Sequence, residues 1–248
     1  MTLEEFFAMH GKAALAFSGG ADSAFLLWKG RQCGAELGAY IVKSAFQPDF
    51  ELQDAKKLCA QLGVKLHVLP LDILNVPGVR ENSAERCYFC KRAIFTAIAA
   101  AAERDGYPLV IDGTNASDET SDRPGMRATA ELGVLSPLRL CGVTKKNLRA
   151  LSREAGLFTA DKPAYACLAT RMQTGLPLTA EILRRIELAE TELGKLGFSD
   201  FRVRTDGSAA RLELPASQLP QAEKKAEEIH SALRGFSPVR LCERQIRD

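Results

Sequence analysis

Between an apolar run at residues 13–17 and a helix-like run at 24–29 stands Ser18-Gly19-Gly20-Ala21-Asp22-Ser23. A buried strand that enters a Ser/Gly turn and passes at once into a helix narrows the available folds to strand–turn–helix units. Unpaired N–H groups in the first turn of a helix, with glycines that let the backbone close in, form a cradle for phosphate. Ser18 and Ser23 add hydroxyl donors, and Asp22 can hold the magnesium that accompanies a nucleotide. An ordinary strand-to-helix turn uses the same residue types. The complete Ser-Gly-Gly-x-Asp-Ser, placed between strand and helix, favours the anion cradle. It is not a Walker loop, because no Gly-Lys-Ser/Thr follows.

The pattern continues along the chain. Residues 3–10 read as a short amphipathic helix, 13–17 as a strand, 21–33 as a helix, 38–43 as a strand, 49–62 as a helix closed by Gly63, and 65–69 as a strand. Further strands are expected at 109–111 and 134–140, and a helix at 144–155 with Thr144 as its N-cap. Such regular alternation argues for a parallel sheet covered on both faces, with ligands at the carboxyl ends of its strands. Residues 71–84, which hold Pro77 and Gly78 and lack a period, read as a loop over the site.

From Leu176 the composition changes. Thr179 caps a helix at 180–196, strands at 201–204 and 211–214 are joined by Asp206-Gly207, and a helix at 218–233 precedes a strand at 239–243. The expectation is therefore two domains, 1–175 and a small α+β domain at 176–248, linked near Gly175-Leu176-Pro177.

Composition sets limits. With 248 residues, 46% of them hydrophobic, the chain can bury a sizeable core and a second small one. The balance of 33 basic and 31 acidic residues advertises no field for nucleic acid. The N-terminal residues contain no apolar run of the length a signal peptide or spanning helix needs, so neither membrane nor nucleic acid is an expected partner. Seven cysteines in a chain of this length point to a reducing cytoplasm, where grouped thiols mean metal or redox chemistry.

Two of those thiols form Cys87-Tyr88-Phe89-Cys90, ahead of an alanine-rich helix at 93–104. Thiols three apart at a helix start can face one ion, and the basic neighbours favour thiolates. Two buried cysteines or a redox dithiol are the other readings, and a metal would need a ligand from elsewhere. Asp112-Gly113-Thr114-Asn115-Ala116-Ser117-Asp118 follows the strand at 109–111 and points its acids and amides at a nucleotide or its magnesium. Asp122-Arg123-Pro124-Gly125-Met126-Arg127 then reads as a loop of fixed shape whose arginines suit phosphate or carboxylate. Cys167 lies in a loop opened by Lys162-Pro163, a setting that core packing seldom explains. In the C-terminal part Arg202 and Arg204 share a strand face with Arg211 on the hairpin partner; they either pair with Glu213 in solvent or hold an anion. Cys33, Cys59, Cys141 and Cys242 have no such surroundings and read as buried or incidental.

The stretch at 18–23 resembles the PP-loop of the ATP-pyrophosphatase superfamily, and taken with Cys87 to Lys91, Asp112 to Asn115, Asp122 to Arg127, Ala166 to Arg171 and Phe201 to Glu213 the chain resembles the LarE family of ATP-dependent sulfur transferases. The resemblance covers nearly the whole chain. It implies a PP-loop (adenine nucleotide α-hydrolase-like, Rossmann-like) α/β domain followed by a small α+β domain. It implies adenylation of a carboxylate of a pyridinium dicarboxylate mononucleotide and its conversion to a thiocarboxylate, a step in building the nickel-pincer nucleotide cofactor. ATP and Mg²⁺ are then bound by Ser18, Gly19, Gly20, Asp22, Ser23, Gly113 and Thr114, with Asp118 on the nucleotide–magnesium side and Arg123, Arg202 and Arg204 on the substrate phosphate. One branch of the family spends the sulfur of a lone cysteine that matches Cys167; another holds a [4Fe–4S] cluster on three cysteines that match Cys87, Cys90 and Cys167. All three are present, which implies the cluster branch, a sulfide source or donor protein, and a homo-oligomer formed through the small domain. A PP-loop tRNA thiolase and a non-catalytic ATP- or metal-binding scaffold are the rival readings. Near-neutral charge weighs against the first, and the joint presence of loop, acids and thiols against the second.

Overall fold

The computed structural model describes residues 1–118 and 124–244. The chain divides into two compact units, Met1–Val76 with Cys87–Lys162, and Pro77–Arg86 with Pro163–Asp248. The division therefore falls before the cysteine loop rather than near Gly175, and a short excursion from the first half packs with the second unit.

In the first unit, α1 (Leu3–Met9) is closed at its N-terminus by a capping box between Thr2 and Glu5. It leads into β1 (Lys12–Ala16), α2 (Ala21–Gln32), β2 (Glu36–Lys43), α3 (Asp49–Leu62), β3 (Leu66–Pro70), α4 (Arg86–Arg104) and β4 (Val110–Ile111). The four strands form one sheet in the order β3-β2-β1-β4, every pair parallel. The unit is thus α/β with helices on both faces. On one face Ala13 and Leu15 meet Phe6, Phe25, Leu26 and Leu58; on the other Ala14 and Tyr40 meet Ile98, Ala101 and Ala102. The alanines of α4 are what let that helix lie close over β1, whose own residues are mostly alanine.

Past β4 the unit continues through α5 (Pro124–Glu131), α6 (Pro137–Leu140) and α7 (Lys145–Glu154). Residues 134–140, which read as a fifth strand, make only a single parallel bridge, Ile111 to Leu135, before turning into α6. Pro137 decides this: it cannot donate to a ladder, and its fixed φ suits the first turn of a helix. Likewise Pro124 and Gly125 open a helix, not a loop. Arg123 and Asp122 lie outside the described residues. Thr144 caps α7 by accepting from Asn147 N–H at 3.3 Å.

In the second unit, α8 (Ala180–Lys195), capped by Thr179, packs on a three-stranded sheet of β5 (Arg202–Thr205), β6 (Ala210–Leu214) and, later in the chain, β7 (Val239–Glu243). β5 and β6 are antiparallel, β6 and β7 parallel. Between β6 and β7, the helix expected at 218–233 is split into α9 (Leu219–Lys224) and α10 (Ala226–Ala232). Lys225 leaves helical geometry there, and its ammonium reaches the Leu196 carbonyl at the end of α8, 2.8 Å away. Residues 77–86, most of them within the stretch at 71–84 expected to be a loop, pack with this unit. Buried Asn82 donates to Gln173 O at 2.9 Å and accepts from Gly175 N–H at 2.8 Å.

Candidate active site

In the first unit, Phe17 closes β1 and the chain turns through Ser18 to Gly20 into α2. Gly20 is the N-cap and supplies no side-chain acceptor, so the first-turn N–H groups of α2 are directed at whatever anion occupies the turn. The two serines hold the turn's shape. Ser23 Oγ donates to Gly20 O at 3.2 Å and accepts from Ser18 N–H at 3.3 Å, and the two hydroxyls are 3.1 Å apart. Gly20 N–H in turn donates to Ser18 Oγ at 3.3 Å.

Glycine is required at two places. Gly19 has φ +72°, and a Cβ on it would stand 2.9 Å from the Glu51 carbonyl of α3. A Cβ on Gly113 would stand 2.9 Å from the Ser23 backbone nitrogen. The segment after β4 is therefore pressed against the first turn of α2, which brings Gly113, Thr114 and Asn115 to the loop at 18–23.

Asp22 is gripped from two sides: Asn115 Nδ2 donates to one carboxylate oxygen at 3.2 Å and Lys145 Nζ to the other at 2.5 Å. Lys162 Nζ, from a distant part of the chain, donates to Gly19 O at 3.3 Å and to Asp54 at 2.7 Å. Asp112, buried, accepts from Thr114 Oγ1 at 2.8 Å and from Ser136 Oγ at 2.7 Å, which fixes the segment that carries Thr114. Asp118 accepts the Asn115 N–H at 2.8 Å, so its carboxylate closes a turn under Asn115.

Ser18, Gly19, Gly20, Asp22, Ser23, Gly113 and Thr114 thus lie in one constellation, as does Asp118 through Asn115. Lys145 and Lys162, which the sequence motifs do not direct at this turn, also reach the constellation, beside Asn115, whose amide the segment at 112–118 offers to a nucleotide. Lys145 follows the Thr144 cap, a local signal that places it at a helix start but says nothing of its partner Asp22 across the unit.

Cys87 and Cys90 lie at the start of α4, which begins earlier than the alanine run predicts. Their i, i+3 spacing puts both thiols on one helix face. α5 packs beside this stretch: Tyr88 donates to Glu131 at 2.7 Å, and Arg127 lies over the Tyr88 ring. Cys59, by contrast, is buried, and desolvation pushes its thiol up to about 12. Burial also raises Cys33 and Cys141. These three are poor thiolate donors. Among the described residues, no three His, Cys, Asp or Glu side chains are gathered as a metal site.

In the second unit, Cys167 precedes a 3₁₀ turn, Leu168–Arg171. Its carbonyl accepts from Thr170 N–H at 3.0 Å and Thr170 Oγ1 at 2.8 Å. Arg171, 1% exposed, ends the turn and donates through Nε to Glu190 at 2.7 Å. Burial works against its charge, yet the hydrogen bond and charge of Glu190 hold its pKa above the ordinary arginine value. Glu190 also accepts from Tyr165 Oη at 2.6 Å and Val203 N–H at 2.9 Å, tying the cysteine loop to β5.

The two arginines expected to act together have different surroundings. Arg202 is buried, donates to the Phe201 and Ala164 carbonyls, and lies over the Tyr165 ring. Burial, with Arg171 and Arg244 adding like charge, pushes its pKa down to about 10. Arg204 instead lines an open cavity of about 650 Å³, together with Arg86, Arg171, Arg211, Arg240 and Asp206.

No family model matches the chain. A synthase of Lactiplantibacillus plantarum, pyridinium-3,5-bisthiocarboxylic acid mononucleotide synthase, is 31% identical over 213 residues, 84% of this chain and 76% of the relative. The chain belongs to this synthase's family, the LarE family. An uncharacterized protein of Synechocystis is 34% identical over 221 residues, 88% of this chain and 82% of that protein. The argininosuccinate synthase of Haloarcula marismortui is 28% identical over 160 residues, 60% of this chain and 38% of that enzyme. The LarE-family chain is accordingly a PP-loop enzyme, and the strand–turn–helix at 18–23 is its PP-loop. No helix among the described residues is long and apolar enough to cross a membrane.

Proposed function

We propose that the chain is an ATP-dependent sulfur transferase that adenylates a carboxylate of a pyridinium dicarboxylate mononucleotide and converts it to a thiocarboxylate, in nickel-pincer cofactor biosynthesis. The observation that carries this reading is the match to the Lactiplantibacillus plantarum synthase across 84% of the chain, which takes in residues of both units.

The PP-loop geometry supports the first half. The first-turn N–H groups of α2 and the serine hydroxyls would hold the β- and γ-phosphates, and Asp22 would hold Mg²⁺. A substrate carboxylate oxygen attacks the α-phosphorus, the bond to the bridging oxygen breaks, and pyrophosphate leaves with its growing charge on the cradle. Lys145 and Lys162 add cationic donors at Asp22 and Gly19. Sulfur then bonds to the acyl carbon, and the carbon–oxygen bond to AMP breaks.

For the second half, Cys87, Cys90 and Cys167 would hold a [4Fe–4S] cluster, whose chemistry there is to present a sulfur for transfer at an iron without a protein ligand. Two of the three thiols share one face at the start of α4, and three thiolates would leave one iron open to carry the transferred sulfur. Cys167 as a consumed sulfur donor is the second reading, since a cluster needs all three thiols and consumption needs this one alone.

Two measurements test the proposal. Incubated with ATP, Mg²⁺ and pyridinium-3,5-biscarboxylic acid mononucleotide, the protein should release AMP and pyrophosphate in equal amounts and yield a product in which sulfur replaces oxygen. After anaerobic reconstitution the wild type should carry about four iron and four acid-labile sulfide per chain, and Cys90→Ala should carry far less. No iron in either protein, with a mass loss at Cys167 after turnover, would overturn the cluster in favour of the consumed cysteine.

A further inference from the structure

Lys145 opens α7 with a charge that opposes the helix dipole. The first turn of that helix holds Lys145 and Lys146 and no acid, although a helix N-terminus favours negative groups. Lys145 meets its counter-charge across the unit in Asp22, in the first turn of α2, at 2.5 Å. With the two side chains 30% and 27% exposed, such a pair adds at most about 1 kcal/mol to the fold. Stability therefore does not account for a lysine at this position. Two details show which part of the pair is free to move. The backbone N–H of Lys145 donates to Ser117 Oγ at 3.0 Å, which pins the helix start and leaves the flexible four-carbon stem to swing. Asn115 Nδ2 donates to the other oxygen of Asp22 at 3.2 Å, so the carboxylate keeps its orientation when Lys145 leaves it. Lys162 is held differently: its ammonium is 2.7 Å from Asp54, on α3 and outside the loop at 18–23, and 3.3 Å from Gly19 O.

We propose that Lys145 and Asp22 form an exchangeable pair that makes the loop's binding of pyrophosphate conditional on a divalent cation. In the empty loop the carboxylate holds the ammonium, and neither charge is available to a ligand. A phosphate chain that arrives without a cation must pull Lys145 from Asp22 and then sit beside an unpaired carboxylate, and like charges at that distance repel. With Asp22 given over to a divalent cation, the repulsion is gone and Lys145 is released. Its ammonium then turns to the phosphate oxygens held by the first-turn N–H groups of α2, the turn that also carries Asp22. The pair is thus a positioning device: it keeps the loop closed to bare phosphates and supplies a cation at the moment the metal-bound ligand arrives. That the ligand portion is the β,γ-pyrophosphate of ATP rests on the function proposed above, whereas the exchange between Lys145 and Asp22 does not.

The test uses the full chain with inorganic pyrophosphate as probe, titrated calorimetrically with Mg²⁺ present and again with EDTA in its place. Wild type should bind about tenfold or more tightly with Mg²⁺ than without it. Lys145→Met should weaken binding with Mg²⁺ about tenfold, the worth of one charge-assisted hydrogen bond, and leave AMP, which lacks the β,γ portion, within about twofold. Asp22→Asn should change sign between the two conditions: about tenfold weaker than wild type with Mg²⁺, and about tenfold tighter in EDTA, because Lys145 is free from the start. Adding Lys145→Met to Asp22→Asn should abolish that gain, which separates the freed ammonium from the mere loss of a repelling carboxylate. All three variants should fold, since a pair this exposed contributes little to stability. The proposal is overturned if Asp22→Asn binds pyrophosphate in EDTA no better than wild type, if its gain survives in the double variant, or if Lys145→Met weakens AMP as much as pyrophosphate. A chain that shows the change of sign but never forms AMP from ATP would keep the exchange and lose the proposed reaction.

Discussion

Replacing Glu190 by alanine should be among the most damaging single changes in the second unit. Arg171 and Glu190 are 1% and 7% exposed, and the carboxylate accepts from Arg171 Nε at 2.7 Å, Arg171 Nη2 at 3.2 Å, Tyr165 Oη at 2.6 Å and Val203 N–H at 2.9 Å. Truncation leaves a buried guanidinium without its counter-charge, a cost of about 3–5 kcal/mol. At about 2–4 °C per kcal/mol for a chain of this size, the melting temperature should fall by about 6–20 °C. Glu190→Gln keeps the shape and part of the hydrogen bonding, so it should lose less than Glu190→Ala. The double change Arg171→Met with Glu190→Leu should lose less than Glu190→Ala, because no uncompensated charge remains. Urea titrations with circular dichroism at pH 7 provide the free energies. A loss below about 1 kcal/mol for Glu190→Ala, or a double variant that costs the sum of the two single ones, would refute the argument that the pair's damage lies in the orphaned charge.

Two other consequences can be measured. Gly19→Ala forces a Cβ to within 2.9 Å of the Glu51 carbonyl at φ +72°; it should cost about 1–3 kcal/mol and abolish the rise in melting temperature that ATP with Mg²⁺ produces in the wild type. Cys59, whose thiol burial lifts from an ordinary 9.0 to about 12, prefers to stay neutral in the folded chain. Its contribution to stability is therefore complete below pH 9 and is lost as pH rises towards 12. Alkylation mapped by mass spectrometry at pH 8 should label exposed Cys87 and spare Cys59 until the chain unfolds; equal labelling of the two in folded protein would contradict this.

Much of the fold was legible because its signals are local. The apolar run of β1, the Ser/Gly turn, and the caps at Thr144 and Thr179 each act within a few residues, and each element forms where the pattern places it. The errors arose where a local signal was present and outweighed by another. Val134 to Leu140 is apolar enough for a strand, but Pro137 removes the donor a ladder needs. Residues 218–233 keep a helical period, but the helix breaks at Lys225, whose ammonium reaches the Leu196 carbonyl. The strand–turn–helix that carries Ser18 to Ser23 is announced by its own residues. The place of Lys145 is not, because nothing near it in the chain announces that Asp22 is its partner.

By itself the sequence determined the alternation of strands and helices, the Ser/Gly turn between β1 and α2, and the pairing of Cys87 with Cys90 at the start of a helix, since residue type and spacing decide those within a turn or two of backbone. Tertiary structure alone decided which cations reach Asp22, and that residues 77–86 pack with the second unit. It also decided that Arg202 is buried while Arg204 joins Arg211 and Arg240 on an open face. Those outcomes depend on strand register and on contacts between residues far apart in the chain, which form only when burial of apolar surface has brought the elements together.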